Sequence, residues 1–211
     1  RSALDVSILQ ANQELEEQAL RLYREATALV PASYPIHNQL AAANLMVGRP
    51  EAALQSLERS LAITEETMFS ADAFLLLGVA YQRLGEPIKA IEQLDELIKR
   101  RPNDSQAYNN RGYTYGILGQ FRRAIEDFDQ AVLKDLGNVE AYTNRGLAYR
   151  ELGQPQRAIE DLDVAIQTNP AHHVAYSNRG LAYADLGRYR EAISDYNEAI
   201  VLEPTNAQTY I

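Results

Sequence analysis

The chain has 211 residues, 46% of them hydrophobic and 23% charged, and its 29 acidic residues outnumber 20 Lys and Arg for a net charge of −9. That balance, with no basic stripe, argues against nucleic acid and anionic membrane surfaces as partners. The absence of cysteine removes thiolate chemistry and any disulfide framework, which favours cytoplasm over secretion, and no apolar run reaches the roughly 18 residues needed for a bilayer-spanning helix.

From the N-terminus, neither Gly nor Pro interrupts residues 1–30, and Leu4, Ile8, Ala11, Leu15, Ala19, Leu22, Ala26 and Leu29 step by three or four. This predicts one long amphipathic helix. A second reading makes 1–33 a degenerate copy of the unit that follows, with Ala19, Tyr23, Ala26 and Pro31 in the slots of a second helix. Residues 34–67 carry that unit weakly, through Gly48, Ala53, Leu57 and Leu61, and Met68–Ser70 form a spacer.

The pattern then becomes explicit over residues 71–104, 105–138, 139–172 and 173–206. Glycines recur at one constant spacing, at 78, 112, 146 and 180, and again at 85, 119, 153 and 187. A fixed period of this size predicts stacked copies of one supersecondary unit. Position 4 is aromatic (Phe74, Tyr108, Tyr142, Tyr176) and position 11 is tyrosine (Tyr81, Tyr115, Tyr149, Tyr183), on one helical face with the glycine at position 8. That glycine is expected to admit a neighbouring helix. The glycine at position 15 follows a leucine and reads as a left-handed helix stop. A second helix follows, with an inner face of Ala90, Ile91, Leu94 and Leu97 in the first strong unit. The same face carries Ala124, Ile125, Phe128 and Ala131, then Ala158, Ile159, Leu162 and Ala165, then Ala192, Ile193, Tyr196 and Ala199. Pro102, Pro170 and Pro204 close three units. Residues 207–211, with Tyr210 at position 4, read as the start of a further, truncated unit, as expected of a fragment of a longer protein.

The expected fold is all-α: a right-handed solenoid of stacked antiparallel helix pairs. Units with Arg at position 7 (Arg111, Arg145, Arg179) have Asp at position 23 (Asp127, Asp161, Asp195), whereas Leu77 is accompanied by Gln93. This covariation within the chain predicts ion pairs between helices. The Asp127/Asp129 and Asp161/Asp163 pairs, two residues apart on a helix, point in different directions and suit neither acid/base chemistry nor a metal. His172 and His173 follow Pro170 and are expected in a solvated turn. No phosphate loop, nucleophile elbow or zinc motif is present, so no catalytic, metal or cofactor residue is expected, and the chain is read as a non-enzyme.

The small-8, aromatic-11, alanine-20, large-24, small-27, proline-32 pattern resembles the tetratricopeptide repeat family. The resemblance implies a protein-binding scaffold whose first helices line a concave groove. By register, the expected peptide-binding residues are Leu75, Val79, Arg83, Asn109, Asn110, Tyr113, Thr143, Asn144, Arg150, Ser177 and Asn178. Relatives use asparagine at the slot of Asn110, Asn144 and Asn178 to hold a peptide backbone; the alternative is that these amides only bridge neighbouring helices. Leu45, Met46, Leu75 and Val79 would make the early groove apolar, unless residues 1–30 cover them. The clamp by which one branch of the family holds the acidic C-terminal tails of chaperones is largely missing. Leu75, Asn109 and Thr143 stand where its lysine would be, so such tails are disfavoured. The expected partner is a protein or peptide; self-association through the N-terminal helix or the C-terminal end is the alternative.

Overall fold

The computed structural model describes residues 3–63 and 71–203, with side chains from residue 14 onward. Met68–Ser70, Pro204 and the expected partial unit at 207–211 lie outside the described residues. Eleven α-helices, and no strand, are found among those described. The chain forms two compact units, one ending at Pro102 and one beginning at Asn103.

The first unit holds α1 (Ala3–Leu29), α2 (Tyr34–Met46), α3 (Pro50–Ile63), α4 (Ala71–Arg83) and α5 (Pro87–Arg100). Residues 3–29 form one continuous helix. It docks on α2 by burying Leu20 against Leu40 and Ala43, and Glu17 pairs with Arg49 at 2.6 Å. Met46 remains exposed, so the described part of α1 does not cover it. Leu45 is instead a core residue, packed with Ala41, Leu57 and Leu77.

The second unit stacks three hairpins: α6 (Ser105–Ile117) with α7 (Phe121–Lys134), α8 (Val139–Glu151) with α9 (Pro155–Thr168), and α10 (His173–Asp185) with α11 (Tyr189–Leu202). Each hairpin turns at its second glycine. Gly119, Gly153 and Gly187 have φ of 70–72°, the left-handed region that side chains disfavour. The amide after each glycine bonds back to the position-11 tyrosine carbonyl: Gln120 to Tyr115, Gln154 to Tyr149 and Arg188 to Tyr183, all at 2.9 Å. This closure satisfies carbonyls that the helix end would otherwise orphan.

The position-8 glycines have the packing role expected of them, against the second helix of their own hairpin. A Cβ on Gly78, Gly112, Gly146 or Gly180 would come within 2.5–2.9 Å of Leu94, Phe128, Leu162 or Tyr196. The large position-24 side chain therefore rests on bare backbone. Ala124, Ala158 and Ala192 are buried where the helices of a pair meet.

Two expectations are corrected. Ile193 is not on an inner face: it is 60% exposed, because no described element packs on that side of α11, whereas Ile159 is covered by the α10 residues Ala175 and Ala182. His172 and His173 do not sit in an open turn. Both are partly buried at the start of α10, and burial lowers the proton affinity of His172.

Candidate functional site

The first helices of the second unit present one row of side chains per register position. At position 9, Tyr113, Leu147 and Leu181 are exposed apolar residues, one on each of α6, α8 and α10. They come from the same slot three times because each full period returns the chain to the same point of the hairpin. Beside them runs the asparagine row. Asn110 donates to the Gln106 carbonyl of its own helix at 2.8 Å. Asn144 donates across to the Asn109 side-chain oxygen at 3.0 Å. Asn178 is half-buried and its side chain makes no hydrogen bond among the described residues. The bridging alternative is therefore realised at Asn144, where one of two amide protons is engaged and the carbonyl is not.

Thr143 and Ser177, at position 5, are buried rather than displayed. Their hydroxyls donate to carbonyls one turn back, Val139 at 2.8 Å and His173 at 3.1 Å. Arg150 reaches Asp185 on the next first helix at 2.7 Å and Glu151 at 3.2 Å. A cleft of about 280 Å³ lies between α6 and α8, lined chiefly by Tyr113, Ile117, Phe121, Phe128 and Leu147. It brings Tyr113 and Asn144 of the expected residues together around Gly116.

In the first unit, Leu75 lines a second cleft, of about 400 Å³, with Tyr34, Asn38 and Leu76. The side-chain oxygen of Asn38 is buried without a hydrogen-bond partner among the described residues. Val79 packs half-buried against the core, and Arg83 donates to the Leu45 carbonyl at the end of α2, where a cation suits the helix terminus.

Behind the wall lies a ladder of charges. Arg111 meets Asp127, Arg145 meets Asp161 and Arg179 meets Asp195, each through two guanidinium nitrogens at 2.6–2.8 Å. The predicted ion pairs thus form inside each hairpin. A further tie joins successive hairpins: Arg145 also bonds Asp129 at 2.7 Å and Arg179 bonds Asp163 at 2.6 Å. The divergence of the paired aspartates sends one carboxylate to its own hairpin's arginine and the other to the next. Burial alone would loosen the proton of Arg145, but its bonds to Asp161 and Asp129 outweigh that and hold the guanidinium charged. For Arg179 the bond to Asp195 dominates in the same sense. Each of these arginines also lies over its position-4 tyrosine, 5.4–5.6 Å from the ring centre. This ladder holds the first helices in register, so its role at the wall is structural.

Helical hairpins with bare glycines at the crossing, left-handed glycine turns and a side-chain wall repeated once per period define a helical-repeat scaffold. Profiles described as tetratricopeptide repeat match residues 72–104, 94–126, 118–173 and 173–206. The chain belongs to the tetratricopeptide repeat (TPR) family. Among solved structures, MamA is 25% identical with a TM-score of 0.65, over 80% of this chain and 97% of that one. TTC0263, a thermophilic TPR protein of Thermus thermophilus, is 22% identical with a TM-score of 0.73, over 83% and 94%. YrrB, described as a TPR protein with an unusual peptide-binding site, is 19% identical with a TM-score of 0.61, over 89% and 95%. No curated protein matches the chain in sequence. The TPR scaffold is a fold consistent with protein–protein interaction.

Proposed function

We propose that the protein is a non-enzymatic scaffold that binds an extended segment of a partner protein along the wall of α6, α8 and α10. The observation that carries this reading is the exposed apolar row of Tyr113, Leu147 and Leu181 beside the asparagine row. Burying such a row supplies affinity without ordering the receptor, and amides that both donate and accept can follow a peptide backbone. The peptide-binding site named for YrrB supports the same use of this fold. The repeat boundaries proposed are 34–67, 71–104, 105–138, 139–172 and 173–206, preceded by 1–33 as a long helix rather than a degenerate repeat. Of the residues expected in the groove, Asn109, Asn110, Tyr113, Asn144, Arg150 and Asn178 are proposed as its working surface here. Leu75, Val79 and Arg83 belong to the first unit, and Thr143 and Ser177 support from beneath.

The test is affinity capture with the wild-type chain beside a Tyr113→Glu, Leu147→Glu variant. Partners retained equally by both would argue against the wall. Self-association is the competing reading, favoured by the exposed stripe of Leu15, Leu22 and Leu29 on α1. A molar mass that rises with concentration, and returns to monomer on Leu22→Glu, would support it.

A further inference from the structure

Gly116 differs from the hairpin glycines. It lies in the last turn of α6, its φ is not positive, and a Cβ there would meet nothing within 4 Å. The fold therefore gives no packing or backbone reason for it, although a glycine inside a helix costs about 0.5–1 kcal/mol relative to alanine. Position 12 carries Gln82, Arg150 and Ala184 in the other strong units. The missing side chain opens the cleft between α6 and α8. There Tyr113 and Ile117 stand 48% and 53% exposed, over Phe121, Phe128 and Leu147. At about 280 Å³ the cleft falls just below the roughly 300–1,000 Å³ of small-molecule sites. It matches one large side chain better than a cofactor.

The charge on its lining is acidic. Among the described residues, Glu151 is the only charged one lining the cleft. Nearby, Arg150 is a single cation shared between Glu151 and Asp185. The C-terminal ends of α6 and α8 and the first residue of α7 all border the cleft, so the helix partial charges there oppose one another and Glu151 sets the preference.

Resting on the groove reading above, we infer that the Gly116 cleft is a socket for one large apolar side chain, of the Phe or Leu kind, on an extended partner segment, and that Glu151 selects a Lys or Arg beside it. The apolar side chain fills the space that Gly116 leaves, and the neighbouring cation faces the carboxylate. Without the cation, that carboxylate has only a shared arginine.

The experiment measures anisotropy of labelled ten-residue peptides on an otherwise Ala/Ser background, with a central Phe, Leu or Asp flanked by Lys or by Glu. The set is titrated with wild type and with Gly116→Leu, Glu151→Lys and the Asn110→Ala, Asn144→Ala double variant. Gly116→Leu introduces a good helix former at a position where an added Cβ meets nothing within 4 Å, and thermal unfolding of the variant confirms that it is folded before the titration is read. The expected result is binding of the Phe–Lys and Leu–Lys peptides, at least tenfold weaker with Gly116→Leu, and a preference for Glu flanks with Glu151→Lys. Peptides that bind, weaken with the asparagine variant and ignore Gly116→Leu would overturn the socket but not the groove. No binding by any peptide at millimolar concentration would overturn both. A wild-type oligomer dissolved by Gly116→Leu would give the socket to a second copy and overturn the peptide assignment.

Discussion

The two units fill one slot in opposite ways. Position 7 of the α4–α5 hairpin is Leu77, buried with Leu45, Leu57 and Ala80. In the three hairpins of the second unit the slot holds an arginine clasped by aspartate. The aromatic ring at position 4 follows suit: Phe74 is covered by Arg100, 4.9 Å from its centre, whereas the tyrosines are covered by the position-7 arginines themselves. The hairpin survives both solutions because its geometry is set by the bare glycine at position 8. What differs is fragility. Truncating an apolar contact loses transfer energy and leaves a void. Removing one member of a buried ion pair strands the other, which costs more than the pair contributed.

The sharpest test is Asp161→Ala. It leaves Arg145 with only the half-exposed Asp129, in place of a carboxylate that is 10% exposed, and is expected to lower stability by about 3 kcal/mol, read as a shifted urea midpoint at unchanged slope. Asp129 bonds the same arginine but is 51% exposed, so Asp129→Ala should lose less than about 1 kcal/mol. Equal losses would end the distinction between the tie within a hairpin and the tie between hairpins.

Next in size is a pair of identical changes one helical turn apart. Gly112→Ala drives a Cβ to 2.8 Å from the Phe128 ring and 3.0 Å from the Ala124 carbonyl, at a cost of about 2 kcal/mol. Gly116→Ala enters open space and should gain about 0.5 kcal/mol. Thermal unfolding of both variants decides whether the glycines differ as described.

The comparison between units can also be sharpened by transplanting one solution into the other. Leu77→Arg alone should destabilise the first unit. Adding Gln93→Asp should recover about 1–2 kcal/mol, measured as the coupling in a double-mutant cycle; no coupling would mean that the slot accepts arginine only in its own surroundings. The smallest effect concerns helix starts. Asp104 and Asn138 cap α6 and α8 by accepting from Ala107 and Ala141 at 3.1 and 2.9 Å, whereas His172 gives α10 no such bond. His172→Asp should gain about 1 kcal/mol. It should also remove an acid sensitivity. Burial lowers the proton affinity of His172 below its ordinary value of 6.5, so the unfolded chain takes up that proton first as pH falls. Its contribution is complete above about 6.5 and declines below. Stability of the two proteins against pH between 7 and 5 checks this.

The hairpins and their turns were legible because glycine is informative wherever a Cβ is forbidden, and the fixed period showed where that happens. The Arg–Asp pairs were legible from covariation among copies inside one chain. The ties to Asp129 and Asp163 were only half so: their divergence followed from helix geometry, but their destination depends on how hairpins stack. The wall was read with less resolution. Register alone placed Thr143 and Ser177 beside Asn144 and Asn178, but a small hydroxyl can bond its own helix and be covered by the next one. Gly116 shares its register position with Arg150, a residue expected in the groove, yet only the structure separates a glycine that something presses against from one that nothing touches. Ile193 repeated the pattern of Ile125 and Ile159, and its exposure reflects a neighbour that the repeat pattern cannot supply.

The double bonding of Arg145 also bears on how such an array can lengthen. Its guanidinium takes one carboxylate from its own hairpin and one from the hairpin before it, so the 139–172 copy carries both a receptor for its predecessor, Arg145, and a handle for its successor, Asp163. A duplicate of one whole period spliced after Lys134 would find both already in place, whereas an insertion of any other length would misalign them. The ladder thus acts as a keyed joint that permits growth by whole modules and rejects fractions of one.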